Sequence, residues 1–193
     1  MRSCLVMMLL LSTEFASSQQ QKEEHPFPTK YQIQLLLTQS ERAFAVYEQT
    51  LKEEAQMGDD WKKALVNDQV VLDNARDLLA RLKASPDGFN TPAGFLLVGG
   101  LQDASRNMSV CMGQAGMSSA TAAMVEGNVS EGQRFLHLVQ SCMDASTLLY
   151  TVSETAFNMY SEFLIAQDEM NKEAMANLEK CVGILKKNQQ QKK

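Results

Sequence analysis

Histidine is nearly absent. The 193-residue chain has two, His25 and His137, and neither stands where catalysis or metal binding would want it. His25 lies in a polar, proline-containing stretch with no partner nearby. His137 falls off the apolar spacing of its own segment, and Arg134, three residues earlier, puts a positive charge on the same helical face. The Glu-x-x-His pairs of di-iron bundles therefore have no counterpart, and a Ser-His-Asp relay lacks a buried base. Cysteine is scarce as well. The four residues, Cys4, Cys111, Cys142 and Cys181, form no C-x-x-C pair, which leaves thioredoxin chemistry and haem attachment unsupported. No phosphate loop, dinucleotide glycine pattern or nucleophile elbow occurs. Basic charge is in deficit, with 18 Lys and Arg against 23 Asp and Glu for a net of -5. That balance offers no surface for nucleic acid or an anionic membrane. Together these gaps point away from an enzyme and toward a protein that acts by binding another macromolecule, most simply a protein.

Long apolar runs are also missing. CLVMMLLL at 4–11 is well short of the ~20 residues of a membrane-spanning helix. It does have the dimensions of a signal-peptide core. Arg2 precedes it, and Ala16-Ser17-Ser18 places small residues at the -3 and -1 positions before Gln19. The expectation is a signal peptide at 1–18 and an extracytoplasmic chain, secreted or periplasmic, with no transmembrane segment after cleavage. QQQKEEHPFP at 19–28 then reads as a flexible polar leader.

What is abundant is helical spacing. Ile33, Leu36, Leu37, Ser40, Phe44, Tyr47 and Leu51 recur by threes and fours, which marks the apolar stripe of an amphipathic helix ending at Gly58. Asp59 or Asp60 would cap a second helix, striped by Trp61, Ala64, Leu65, Asp68, Val71, Leu72, Ala75, Leu78, Leu79 and Leu82. The short connection makes 29–84 an antiparallel hairpin. Pro86 and Gly88 place a loop at 85–91, and Thr91-Pro92 opens a third helix over 92–125. Its stripe is Leu97, Leu101, Ala104, Met108, Cys111 and Ala115. Gly99, Gly100, Gly113 and Gly116 weaken it, at about 1 kcal/mol each relative to alanine, and suggest close approach to a neighbour. A Ser130–Gln133 capping box would start a last, long helix over 131–187. Its stripe runs from Phe135, Leu138, Val139 and Cys142 to Phe163, Ala166 and Met170, then on through Ala174, Leu178, Cys181 and Leu185. A break near 167–172 would halve its length. A basic tail follows at 188–193. The fold class is all-α: one elongated antiparallel bundle of about four helices, spanning 29–187.

The stretch NMSVCMGQAGM (107–117) concentrates sulfur. Antiparallel pairing of the last two helices about a turn near residue 128 brings Cys111 to within a helical turn of Cys142, so a disulfide is expected there. Cys181 is left over, and it or the long helix could join two copies as a homodimer. The competing use of the same atoms is a Cu(I) site, copper being the one cofactor this composition suggests, with Met108, Cys111, Met112 and Met143 as soft ligands. A third reading is a membrane-active bundle that inserts AGFLLVGGL (93–101). In a eukaryotic secretory route, Asn107 and Asn128 would be glycan acceptors, each followed two residues later by serine.

Overall fold

The computed structural model describes residues 27–190 apart from Glu126, with side-chain surroundings defined through Lys180 except at Ala64. The expected signal peptide at 1–18, most of the leader and the last three residues of the basic tail lie outside this range. Four α-helices follow in chain order: α1 (Lys30–Glu54), α2 (Asp59–Ala84), α3 (Pro92–Met124) and α4 (Val129–Gln190). Short 3₁₀ turns at Ala55–Met57 and Pro86–Asn90 join the first three. Among the described residues there is no strand. The all-α antiparallel bundle is therefore as expected, and α4 runs without a break through 167–172.

Each start signal has a physical partner. Thr29 Oγ1 accepts from the Gln32 amide at 3.2 Å, and the Gln32 side chain accepts from the Thr29 amide at 2.8 Å, a reciprocal capping box on α1. Thr91 Oγ1 accepts from the Ala93 amide at 3.2 Å, and Pro92 occupies the first helical position of α3, where its missing N–H costs nothing. Two expected caps are placed differently. Gly58, at φ 132°, is the residue before α2, and Asp59 and Asp60 form the first turn itself. There they favour the positive end of the helix dipole and pair with Lys62 and Lys63. On α4 the cap is Asn128 rather than Ser130. Its Oδ1 accepts from the Glu131 amide at 3.2 Å, and its Nδ2 donates to the Glu131 carboxylate at 2.8 Å.

The core is the sum of the stripes. All seven stripe positions of α1 and all six of α3 are buried. On α2 the apolar positions from Leu72 to Leu82 are buried, whereas Trp61, Leu65, Asp68 and Val71 are only half-covered. α3 and α4 form the most extensive pairing, and α1 and α2 cover one side of it. The end of the bundle near the second 3₁₀ turn is closed by aromatic rings. Tyr160 meets Phe89 edge-on at 6.2 Å and packs against Phe95 and Phe163. Phe27 joins them, 5.7 Å from Phe163, so the last residues of the expected flexible leader are docked.

Two expectations about packing need correction. A Cβ added at Gly99, Gly100, Gly113 or Gly116 would meet nothing within 4 Å, so none of these glycines serves close helix approach. The tight contact is at Gly94, where a Cβ would fall 2.1 Å from the Phe89 carbonyl oxygen. The α4 stripe also outruns the bundle. Among the described residues Ala166 is the last buried one, and every residue from Gln167 to Lys180 is exposed, Met170, Ala174 and Leu178 included. At 1.5 Å per residue α4 is about 93 Å long, well over what its neighbours cover. The projecting turns carry an Asp168–Lys172 pair at i,i+4 spacing and no helix breaker before Gly183.

Gly94→Ala is expected to lower the free energy of unfolding by about 2 kcal/mol or more, because backbone must move to admit the methyl group. Gly113→Ala, in open space, should raise it by up to about 1 kcal/mol. Denaturant titration of both variants checks the contrast.

Candidate functional site

The sulfur layer lies between α3 and α4. Cys111 and Cys142 are joined there, with Cα atoms 6.2 Å apart and 31 residues between them in sequence. Both are buried. A serine layer flanks the bond. Ser105 Oγ donates to the Ser146 carbonyl and Ser146 Oγ donates to the Ser105 carbonyl, each at 3.1 Å, while Ser109 Oγ lies 3.0 Å from Ser146 Oγ. These small hydroxyls satisfy each other and let the two backbones run close. The disulfide removes the thiolate from the proposed Cu(I) set. Of its thioethers, Met108 is fully buried, Met112 is half-buried against the core, and Met143 points outward. Among the described residues, no group of three or more His, Cys, Asp or Glu side chains is placed to hold a metal ion.

A second polar layer crosses the bundle interior, and most of it was not visible from spacing. Tyr47 of α1 donates to the backbone carbonyl of Asp68 on α2 at 3.4 Å and accepts from Asn107 Nδ2 of α3 at 3.2 Å. Two turns beyond Tyr47 on the same face, Glu54 is buried, and its Oε2 has no hydrogen-bond partner. Burial pushes the Glu54 carboxyl up to about 7, and the nearby Asp68 carboxylate adds to the shift. Burial also raises Asp68, an effect that its contact with Tyr47 opposes. The signal for Glu54 was present: it stands three residues after Leu51 and seven after Tyr47, on the α1 stripe. The two glycan candidates differ accordingly. Asn107 uses the amide nitrogen a glycan would occupy to hold Tyr47, whereas Asn128 is exposed in the turn between α3 and α4.

The outer surface holds the third feature. Leu136, Met143, Tyr150, Phe157 and Leu164 recur every seventh residue along α4 and are between 43% and 57% exposed. They stand one per heptad over about 42 Å of the helix, with Gln140, Thr147, Glu154 and Ser161 between them. The only polar anchor in the row is Tyr150, whose hydroxyl donates to Glu154 at 2.9 Å. Near the start of α4, Arg134, His137 and Leu138 face Glu53, Gln56 and Met57 across a cavity of about 230 Å³. That is smaller than the usual ~300–1,000 Å³ of a small-molecule pocket. His137 is exposed, as its spacing implied. In 93–101, Leu97, Val98 and Leu101 are core residues while Phe95 and Leu96 are exposed. No described helix is long and apolar enough to cross a membrane. No family model matches the chain, and no curated protein or solved structure shows significant similarity to it.

Two outcomes follow from the interior layers. Closing the Cys111–Cys142 loop stabilises the fold by roughly 3–4 kcal/mol in the chain-entropy model, so Cys111→Ser with Cys142→Ser should cost an amount of that order. Thiol titration of oxidised protein expressed without residues 1–18 should find one reactive group per denatured chain, and finding three would contradict the bond. For Glu54, the native state holds its proton up to pH about 7, while the unfolded chain releases it near 4.5. The native state thus binds the extra proton between these values, and stability falls as pH rises through that window, by on the order of 3 kcal/mol in all. Glu54→Gln should flatten this slope, which thermal melts between pH 5 and 8 will test.

Proposed function

We propose that the protein is an exported, non-enzymatic helical bundle that serves as a binding or scaffold module and engages another macromolecule along α4. The observation that carries the reading is the exposed row from Leu136 to Leu164, on the one helix that is longer than the bundle it belongs to. A helix that only completed a core would end with its neighbours and turn polar residues outward. This one keeps large apolar side chains on its outer face, and every residue from Gln167 to Lys180 is exposed. Export is supported by the signal-peptide layout of residues 1–18 and by the interhelical disulfide, which suits an oxidising compartment. The polar contacts of Tyr47 fit the same reading. Its hydroxyl links the Asp68 backbone carbonyl and Asn107 across three helices, an arrangement that organises a core.

Photo-crosslinking tests the proposal. A photoreactive amino acid at Tyr150, within the row, is compared with one at Val66, an exposed position on α2, in the native compartment. A discrete adduct from Tyr150 and none from Val66 is the expected result. Equal labelling from both positions, or none from any position along α4, would remove the reading.

A further inference from the structure

We infer that the first half of α2, from Asp59 to Asp68, is a proton-operated latch: it lies closed over Glu54 of α1 while that carboxyl keeps its proton and opens locally when the proton is lost. α2 is held unevenly along its length. Its second half buries Leu72, Ala75, Leu78, Leu79 and Leu82 and is tied to α1 by the Arg76–Glu48 and Lys83–Glu41 pairs. Among the described residues from Asp59 to Val71 none is buried. Trp61, Leu65, Asp68 and Val71 are half-covered, and Val66 and Val70 are exposed. Two contacts tie this half to the other helices. Trp61 packs against Phe135 of α4 with ring centroids 5.9 Å apart, and the Tyr47 hydroxyl donates to the Asp68 carbonyl at 3.4 Å. A segment with so few buried apolar contacts opens at a fraction of the free energy of global unfolding.

Glu54 is the group that gates the opening. It is 2% exposed, and its Oε2 has no hydrogen-bond partner. A neutral carboxyl is far less costly in such a site than an unpaired charge. The groups around it give an ionised Glu54 no counter-charge. On α2, Asp68 has the same sign and acts on it directly, while Asp59 and Asp60 pair with Lys62 and Lys63 in the first turn. On α1, Lys52 pairs with Glu48, Glu53 is a further acid, and Tyr47, whose hydroxyl burial pushes up, stays neutral. On α4, Arg134 donates to the Gln56 carbonyl and, with His137, lines the cavity on the Glu53 side. The charged residues of α3 are Asp103 and Arg106. Both precede Asn107, whereas Glu54 lies two turns beyond the Tyr47 that Asn107 meets. An ionised Glu54 is therefore relieved by reaching water, and the half-covered segment of α2 is the cover that yields most easily. Opening uncovers Trp61 and Leu65 and bares Phe135 beneath them. Apolar surface is thus withdrawn in mild acid and offered more often near neutrality.

Hydrogen exchange read by mass spectrometry tests the latch, on the full chain with its disulfide intact and with amide rates corrected for their intrinsic dependence on pH. Between pH 5 and 7, protection from Asp59 to Asp68 should fall by up to about tenfold per pH unit, the limit for one linked proton. It should level off at about 7, where the closed state loses the proton as well. Protection from Leu72 to Leu82 should stay flat over the same range. Glu54→Gln keeps the shape of the neutral acid and cannot ionise, so its first half should give a flat profile too. A flat profile in the unaltered protein, an equal slope in both halves of α2, or a slope that survives Glu54→Gln would each overturn the inference. So would a first half already unprotected at pH 5, because no closed state would then exist to be released.

Discussion

The structure depends on α3 lying against α4. α3 is the helix least able to stand alone. It carries Gly99, Gly100, Gly113 and Gly116 in open space, each costing helix propensity with no packing return. Its place is secured from outside itself: by the Cys111–Cys142 bond, by the reciprocal Ser105–Ser146 hydrogen bonds one turn or more away, and by Gly94, whose bare backbone lets the chain press on Phe89. Once α3 is held against α4, α2 packs on α3 and α1 packs chiefly on α4. The order of dependence runs from a covalent bond to a glycine-weakened helix to the hydrophobic core.

Within that core the polar layer works differently from the apolar ones. The Tyr47 hydroxyl is satisfied by the Asp68 backbone carbonyl and by Asn107 Nδ2, so its burial costs little. Glu54 is the exception, buried with an orphan oxygen. A leucine there would pack better and titrate less. Its carboxyl ties the protonation state of the interior to the pH of the surroundings. Surface pairs such as Glu41–Lys83 and Glu48–Arg76 span α1 and α2 as well, but exposed ion pairs of this kind contribute little.

Much of this was legible from spacing alone. Every stripe residue of α1 and α3 is in the core, and antiparallel register was enough to bring Cys111 to Cys142. What spacing missed has physical reasons. The α4 stripe continues through Met170, Ala174 and Leu178, yet these residues are bare, because periodicity reports an amphipathic face and not whether anything covers it. Glu54 sat on the α1 stripe and passed unnoticed because a carboxylate is ordinarily taken as solvated. Ser130 and Gln133 matched a capping pattern, but Asn128 and Glu131 matched it two residues earlier, where the backbone had already left the turn at Gly127. The outer row was missed because it has one apolar residue per heptad, too sparse to register as a second face until the exposure of each side chain is known.

From Phe135 to Asn171 α4 carries no lysine or arginine, which has a consequence for behaviour in bulk solution. Long cationic side chains normally lay their methylene stems over neighbouring apolar surface and keep it wetted. Along this face only carboxylates hold the molecules apart. The isoelectric point of the whole chain is about 5.1, so mild acid removes the net charge that keeps whole molecules apart. The same acid protonates Glu54 and firms the interior. Mild acid therefore tightens each molecule while removing what keeps the molecules dispersed, and clouding of a concentrated stock would signal self-adhesion of intact bundles and not unfolding.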